Sequence, residues 1–237
     1  MEKKVVIITG ASRGIGRAIA ESLLDYQVVL ASRNETAILN LASGIKKQGG
    51  DAFPVRCDVT VESNVTMCIE KTLDRYGRID VLINNAGIGA FKRVDEFTPE
   101  EFLEIQKVNV YGTFLFTKHV TPHLIAQKKG QIINIASVAG LNGFKTGTAY
   151  AASKFAVVGF TESLREDLKE FGIAVTALCP GSVLTDFGED HQHDKSDSEF
   201  ILMPEDVART VKYLIEESET ANAKMIELKP RRRREYR

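Results

Sequence analysis

Two residues that could together transfer a proton lie four positions apart, Tyr150 and Lys154. If this stretch is helical, both side chains stand on one face a turn apart, and an ammonium lies beside a phenol. A free tyrosine has a pKa of about 10, and lowering it to about 7 requires roughly 4 kcal/mol in favour of the phenolate. A unit charge about 5 Å away supplies roughly 3 kcal/mol at an effective dielectric near 20. Lys154 would therefore supply most of the free energy that favours the phenolate, and a second cation would supply the rest. The spacing alone is a weak pattern, so it needs support from the rest of the chain.

A glycine-rich turn follows the first apolar run of the chain. Residues 5–8 are a continuous β-branched run that predicts a strand buried on both faces, and residues 17–26 predict a helix. Between them lie Gly10, Gly14 and Gly16. Glycines let the backbone approach a pyrophosphate, and a helix N-terminus adds unpaired N–H groups and a positive dipole end. The turn therefore predicts a nucleotide site rather than an ordinary strand–helix connection.

The end of the second predicted strand, residues 28–32, indicates which nucleotide binds. An NAD site places Asp or Glu near this position to hold the ribose 2′-hydroxyl, whereas an NADP site uses Arg for the 2′-phosphate. Here Ser32 is followed by Arg33, and no carboxylate comes before Glu35. Arg13, in the glycine turn, could reach the same phosphate. Two guanidiniums and a hydroxyl suit a phosphate dianion, so the pattern favours NADP over the alternative that both arginines are merely solvated.

Strands and helices alternate along the rest of the chain without a linker. This alternation predicts one α/β domain, doubly wound around a mostly parallel seven-stranded sheet with helices on both faces. We expect this domain to span residues 1–229, followed by a basic, disordered tail at 230–237. Residues 186–203 are polar and predict a mobile loop. Further strands are predicted at 51–57, 79–83, 131–136, 173–179 and 224–229, and further helices at 35–48, from about 61, at 100–127 with an interruption near Asn109 and Gly112, at 148–171 and at 204–218.

Polar residues follow several of these strands, at the edge where an open parallel sheet binds ligands. Asp58 follows the third strand and could accept a hydrogen bond from an adenine amino group, cap the helix beginning near Val61, or do both. The fourth strand ends in residues 84–87, with the sequence Asn-Asn-Ala-Gly, and the fifth ends at Ser137. These side chains are therefore expected to surround one crevice.

Composition limits the partners. The chain has 237 residues, 43% of them hydrophobic, and a net charge of -1. This supports a sizeable core and argues against a globally basic nucleic-acid binder. Three widely spaced cysteines fit reduced thiols in a cytoplasmic protein rather than a disulfide framework. No apolar run reaches membrane-spanning length. His119 and His123 have a metal-ligand spacing but no evident third ligand, so no metal site is predicted.

Together, these motifs resemble the short-chain dehydrogenase/reductase family over residues 5–229. The resemblance rests on the glycine turn, Asp58, residues 84–87, Asn109, Ser137, Tyr150, Lys154 and Pro180-Gly181, in the family's order. It implies a Rossmann fold in which Tyr150 is the general acid, Ser137 holds the carbonyl oxygen, and Lys154 binds the nicotinamide ribose and lowers the tyrosine pKa. Asn109 is implied to anchor a water in a proton relay through Lys154. The implied cofactor-binding residues are Gly10, Ser12, Arg13, Gly14, Ile15, Gly16, Ser32, Arg33, Asp58, Val59, Asn85, Ala86, Gly87, Tyr150, Lys154, Pro180, Gly181, Val183 and Thr185.

The resemblance predicts an NADP(H)-dependent oxidoreductase that reduces a ketone or aldehyde to an alcohol by hydride transfer. The chain is similar to 3-oxoacyl-ACP reductases, although its ending at residues 225–234 looks more like sepiapterin-reductase-like members. One alternative is therefore a 3-oxoacyl-ACP reductase. Another is a non-catalytic nucleotide-sensing or scaffold protein on the same fold, since fold does not determine function. A third is weak nucleic-acid binding through the arginines at 231–234.

Two further expectations concern surfaces. The helices at 100–127 and 148–171 correspond to the family's dimer faces and imply a homodimer or homotetramer. Several residues fall near the expected substrate side, although each could equally belong to the core: Phe91, Val138, Asn142, Phe144 and Phe187.

Overall fold

The computed structural model describes residues 3–187, 201–218 and 220–231. In these ranges the chain alternates strands with helices, as predicted. The strands are β1 Val5–Thr9, β2 Gln27–Ser32, β3 Asp51–Arg56, β4 Val81–Asn84, β5 Gly130–Ile135, β6 Ile173–Pro180 and β7 Met225–Leu228. The helices are α1 Gly14–Ser22, α2 Glu35–Lys47, α3 Glu62–Tyr76, α4 Pro99–Gln106, α5 Gly112–Gln127, α6 Thr148–Leu168 and α7 Pro204–Glu216.

The strands form one sheet in the order β3-β2-β1-β4-β5-β6-β7, and every pairing is parallel. The predicted doubly wound fold is confirmed. The strand order reverses between β1 and β4, and a sheet of this kind opens a ligand crevice at the carboxyl ends of such a pair. The glycine turn follows β1 and residues 84–87 end β4, so both border this crevice.

Apolar residues cover both faces of the sheet. Val6 and Ile8 of β1 point into a core shared with α1, α2 and α7, whereas Val5 and Ile7 point into one shared with α3, α5 and α6. Every residue of β1 is buried, which explains why its sequence is a continuous apolar run rather than an alternating one.

The long helix predicted at 100–127 is divided by a π-helical segment, Lys107–Tyr111, between α4 and α5. The interruption expected near Asn109 and Gly112 is therefore confirmed. A Cβ added at Gly112 would lie 2.7 Å from Cγ2 of Val59, so glycine allows α5 to approach the loop after β3. A π-helical turn widens the backbone locally, and such turns are frequent at functional sites. Here it holds Asn109.

A buried polar network ties helix α6 to the sheet. Nδ2 of Asn84 donates to Oδ1 of Asn134 at 2.9 Å and to Oγ1 of Thr117 at 3.1 Å. Nδ2 of Asn134 in turn donates to Oγ1 of Thr161 on α6 at 2.9 Å. Hydrogen bonds between buried polar groups restrict how α6 can sit on β5, because breaking one leaves an unsatisfied group.

None of the described helices is both long and apolar enough to cross a bilayer. Among the described residues, no group of three or more His, Cys, Asp or Glu side chains lies close enough together to hold a metal ion. Nε2 of His119 lies 2.8 Å from Oε1 of Glu62. The predicted loop at 186–203 is described only at 186–187 and 201–203, and tail residues 232–237 lie outside the described part of the chain.

Candidate active site

Tyr150 and Lys154 lie one turn apart near the start of α6, as predicted. Tyr150 is partly buried, and Lys154 is 5% exposed. Nζ of Lys154 lies 5.7 Å from the centroid of the Tyr150 ring and donates to the backbone oxygen of Ile135 at 2.9 Å. The end of β5 therefore fixes the ammonium beside the tyrosine.

Burial dominates the ionisation of both groups. Burial raises the pKa of Tyr150 to about 12, and a hydrogen-bonding interaction with Ser137 opposes the rise only in part. Burial lowers the pKa of Lys154 to about 8, against a smaller opposing effect of Cys179. The expectation that Lys154 brings the tyrosine pKa most of the way to neutrality is thus wrong for the chain by itself. At neutral pH Tyr150 keeps its proton, which is the state that a proton donor requires.

Ser137 is held at the end of β5. Its Oγ accepts a hydrogen bond from the backbone N–H of Ala139 at 3.1 Å and donates to the backbone oxygen of Pro180 at 3.5 Å. Its side chain also has a hydrogen-bonding interaction with Tyr150, so the two hydroxyls lie close together. Two hydroxyls that converge in this way can both donate to one substrate oxygen.

Asn109 connects the loop after β4 to α6. Its Oδ1 accepts from the backbone N–H of Ile88 at 2.8 Å, and its Nδ2 donates to the oxygen of Ile88 and to Oγ of Ser153, each at 2.9 Å. Ser153 also donates to the backbone oxygen of Tyr150 at 2.7 Å. The side chain of Asn109 therefore positions neighbouring protein groups, and its role as a water anchor stays a prediction.

Two residues that position this site were missed at the sequence level, Ser153 and Thr9. Oγ1 of Thr9 accepts from the backbone N–H groups of Asn85 at 2.9 Å and Ala86 at 3.0 Å. Nδ2 of Asn85 returns a hydrogen bond to the oxygen of Thr9 at 2.9 Å. The available signal was a hydroxyl residue at the carboxyl end of a fully buried strand, where its side chain has only protein partners.

The glycine turn has the shape that an anion requires. Gly10 has φ +65°, and a Cβ there would lie 2.8 Å from Cα of Ala86. At Gly16 a Cβ would lie 2.4 Å from the oxygen of Gly10. Helix α1 begins within the turn at Gly14 rather than at residue 17, and no side chain caps its first N–H groups. Uncapped N–H groups at a helix start with no Cβ in front of them fit the pyrophosphate of a dinucleotide.

Asp58 and Arg33 lie at the ends of β3 and β2. Oδ1 of Asp58 accepts from the N–H and hydroxyl of Thr60 at 2.9 and 2.8 Å, and α3 has Val61 as its N-cap, so the alternative that Asp58 caps this helix is wrong. Burial raises the pKa of Asp58, but the Thr60 hydrogen bonds and the charge of Arg33 outweigh it and leave the pKa below its ordinary value. Asp58 is therefore an ionised acceptor, and the exposed Arg33 is a cation close to it.

The loop after β6 reaches back over the glycine turn. Arg13 donates to the backbone oxygen of Asp186 at 3.3 Å, and a Cβ added at Gly14 would lie 3.2 Å from Cγ2 of Thr185. The other residues predicted to bind the cofactor make the following contacts. Oγ of Ser32 accepts a hydrogen bond from the backbone N–H of Asn34, and the backbone N–H of Gly181 donates to the oxygen of Leu228. The side chains of Ile15 and Val183 pack on the hydrophobic core, and that of Val59 faces α5. Gly87 lies between Asn109 and Lys154.

Sequence comparison identifies the family. Residues 4–196 match the family model described as short chain dehydrogenase. The chain belongs to the short chain dehydrogenase family. A 3-oxoacyl-[acyl-carrier-protein] reductase of Synechocystis sp. is 37% identical over 219 residues, which cover 89% of this chain and 88% of the relative.

Solved structures agree with this short chain dehydrogenase fold. An alcohol dehydrogenase from the archaeon Thermococcus sibiricus, complexed with 5-hydroxy-NADP, superposes with a TM-score of 0.91 at 30% identity, covering 99% of this chain and 100% of that one. A 3-ketoacyl-(acyl-carrier-protein) reductase from Brucella melitensis, complexed with NADH, gives a TM-score of 0.90 at 28% identity, with coverage of 97% and 98%. This chain is accordingly an oxidoreductase with a nicotinamide cofactor.

The glycine turn of this short chain dehydrogenase yields a direct test. Gly16→Ala places a Cβ 2.4 Å from a backbone oxygen and 2.5 Å from Nδ2 of Asn85, so the turn must move. We expect at least a tenfold weaker binding of NADPH by fluorescence titration, and a lower melting temperature. The control is Gly44→Ala in α2, where a Cβ meets nothing within 4 Å. That variant should bind NADPH normally and gain roughly 0.5–1 kcal/mol in stability. Equal binding by both variants would contradict the assigned role of the turn.

Proposed function

We propose that this short chain dehydrogenase reduces a ketone or aldehyde to an alcohol with NADP(H), using Tyr150 as the general acid. One observation carries the proposal: the hydroxyls of Tyr150 and Ser137 converge in a crevice where Tyr150 is protonated and a lysine ammonium is held beside its ring. Such a set can donate two hydrogen bonds and one proton to a carbonyl oxygen.

The mechanism follows from these groups. When bound, the cofactor supplies a hydride to the carbonyl carbon. Ser137 and Tyr150 donate hydrogen bonds to the carbonyl oxygen as negative charge builds on it. Tyr150 then transfers its proton to that oxygen, and the alcohol forms. Lys154 stabilises the phenolate that remains, while Ser153 and Asn109 hold the backbone of α6 against the loop after β4.

Arg33 and Arg13 supply the selectivity for NADP(H). Arg33 is exposed at the end of β2 next to Ser32, and Arg13 is exposed in the glycine turn, so both guanidiniums are available to a ribose 2′-phosphate. Hydrogen bonds between charged groups contribute about 1.5–3 kcal/mol, or roughly a tenfold to hundredfold effect on binding.

Arg33→Asp should therefore raise the KM for NADPH by at least about tenfold and leave the KM for NADH within a few-fold. Steady-state kinetics with both cofactors measures this. Arg56→Asp makes the same change of charge at the facing position of β3, where Arg56 pairs with Ser32, and should affect both cofactors little. Similar effects of Arg33→Asp on the two cofactors would contradict a phosphate contact.

The substrate panel tests the proposed activity as a whole. Ketones, diketones and 3-oxoacyl thioesters should be assayed separately by NADPH consumption. The similarity to the Synechocystis reductase favours 3-oxoacyl thioesters as a second candidate substrate class. Turnover of thioesters alone would select that candidate. Cofactor binding without turnover of any compound would instead favour the nucleotide-sensing alternative, although Asn109, Ser137, Tyr150 and Lys154 are all in place.

We also propose a cytoplasmic homo-oligomer, a dimer or tetramer, in which the domain at 1–229 self-associates. Large apolar side chains are exposed along the relevant helices, namely Phe102 and Leu103 on α4, Phe114 on α5 and Phe155 on α6, with Tyr111 stacked on Phe114. Light scattering after gel filtration would measure the assembly. No membrane or nucleic-acid partner is proposed.

A further inference from the structure

Three phenylalanines from three loops surround the candidate general acid. The ring of Phe91, after β4, meets the ring of Tyr150 edge to face, with centroids 5.5 Å apart and planes at 72°. The ring of Phe187, after β6, lies 5.6 Å from Tyr150 at 59°. Phe144, which precedes α6, lies 5.8 Å from Phe91. Tyr150 is therefore one member of a cluster of four rings.

Small residues beside the cluster make room for the rings. A Cβ added at Gly89 would lie 2.8 Å from the ring of Phe187 and 3.2 Å from that of Phe91. A Cβ at Gly147 would lie 2.4 Å from the ring of Phe144. Phe187 thus reaches across the crevice from the loop after β6 to the loop after β4. Phe144 is 43% exposed, so its ring stands at the solvent side.

We infer that the substrate carries a flat aromatic ring on its carbonyl carbon, and that Phe91, Phe144 and Phe187 determine this specificity. The inference rests on the proposed reductase function. A carbonyl oxygen that accepts hydrogen bonds from Tyr150 and Ser137 places its carbon substituents among the rings that contact Tyr150. Aromatic rings attract one another in edge-to-face and offset arrangements beyond the effect of buried area alone. A flat ring gains these contacts, whereas a saturated ring of similar size gains only burial.

Acetophenone and cyclohexyl methyl ketone test this directly, since they share a methyl ketone and a carbon count and differ in whether the ring is flat. The measured quantity is the ratio of their kcat/KM values, from NADPH consumption. Comparing this ratio between wild type and Phe91→Leu, Phe144→Leu and Phe187→Leu cancels the intrinsic reactivities. We expect the preference for acetophenone to fall by about threefold to tenfold in these variants. Tyr213→Leu, which removes a 60% exposed ring on α7, should leave the ratio unchanged.

A binding measurement gives a second readout that does not depend on turnover. The chain contains no tryptophan, so Phe144→Trp introduces a single indole at the edge of the cluster. Its fluorescence should be quenched saturably by acetophenone, with at least threefold weaker apparent binding of cyclohexyl methyl ketone in competition. The whole chain is used throughout, with NADPH in the kinetic assays and NADP⁺ in this titration, so that no hydride is transferred while binding is measured.

The outcomes separate the two proposals. Wild-type turnover of cyclohexyl methyl ketone, with a ratio that none of the three leucine variants changes, would overturn the aromatic specificity and leave the reductase function standing. Absence of turnover across the whole substrate panel would overturn both. If a leucine variant melts below the assay temperature, the competition experiment in Phe144→Trp decides, and equal binding of the two ketones overturns the inference.

Discussion

Replacing Tyr150 by phenylalanine is expected to lower kcat/KM for carbonyl reduction by about 10²- to 10⁴-fold, the usual contribution of a positioned general acid. The substitution removes one hydroxyl and keeps the ring, so the contacts with Phe91 and Phe187 can persist. Because the pKa of Tyr150 is raised to about 12, wild-type Tyr150 is protonated across the neutral range and can donate without prior activation. The loss should therefore be nearly independent of pH between about pH 6 and pH 8.

The control for this prediction is Tyr76→Phe. Tyr76 is also partly buried, and its hydroxyl donates to Oδ1 of Asp51 at 3.1 Å, outside the proposed active site. That variant should retain activity within a few-fold. NADPH binding, followed by cofactor fluorescence, should persist in both variants. A Tyr150→Phe protein that reduces its best ketone at more than a tenth of the wild-type rate would refute the general-acid assignment.

The fold and the shape of the glycine turn were predictable because they depend on local patterns. A short, continuous and mostly β-branched run such as that of β1 favours a strand buried on both faces. Gly10 leaves room for the backbone of the loop after β4, and Gly16 leaves room for the backbone oxygen of Gly10. Strand ends in a parallel sheet meet at one edge, so Asn85 and Ser137 could be placed near the crevice without coordinates. The approximate break in the helix at 100–127 was visible in the same way, at Asn109 and Gly112.

The remaining features depend on contacts between segments distant in sequence. Thr9 begins the glycine motif and Ser153 lies beside Lys154, but their positioning roles arise from hydrogen bonds to residues 76 and 44 positions away. The Phe91–Phe144–Phe187 cluster requires three loops to be placed together. The pKa of Tyr150 could not be predicted from the distance to Lys154, because the desolvation that outweighs the lysine charge depends on how deeply both groups are buried.

Replacing Lys154 by methionine should have the second largest effect and should change the pH profile. At 5.7 Å from the ring, a unit charge is worth about 3 kcal/mol at an effective dielectric near 20, or about a hundredfold in rate. The ammonium of wild type is present below the lowered pKa of about 8 and is lost as the pH rises through it. Wild-type reduction should therefore decline above about pH 8, whereas the methionine variant should be slow and show no such decline. The gap between the two should narrow toward about pH 10.

The Lys154→Met variant should be more stable than wild type although it is less active, so its low activity would not be explained by misfolding. The pKa of Lys154 is lower in the folded chain than its ordinary value because burial disfavours the ammonium, so folding loses free energy wherever the lysine of the unfolded chain is protonated. Lys154→Met removes this cost, so it should raise the melting temperature most below about pH 8 and progressively less as the pH rises toward and past the ordinary lysine pKa of about 10.4. Lys154→Arg keeps a cation at all these pH values and should retain more activity than the methionine variant, without the decline above about pH 8. If the methionine variant showed the wild-type decline in rate at that pH, another group would have to titrate there, and the ammonium of Lys154 would not be the charge that stabilises the Tyr150 phenolate.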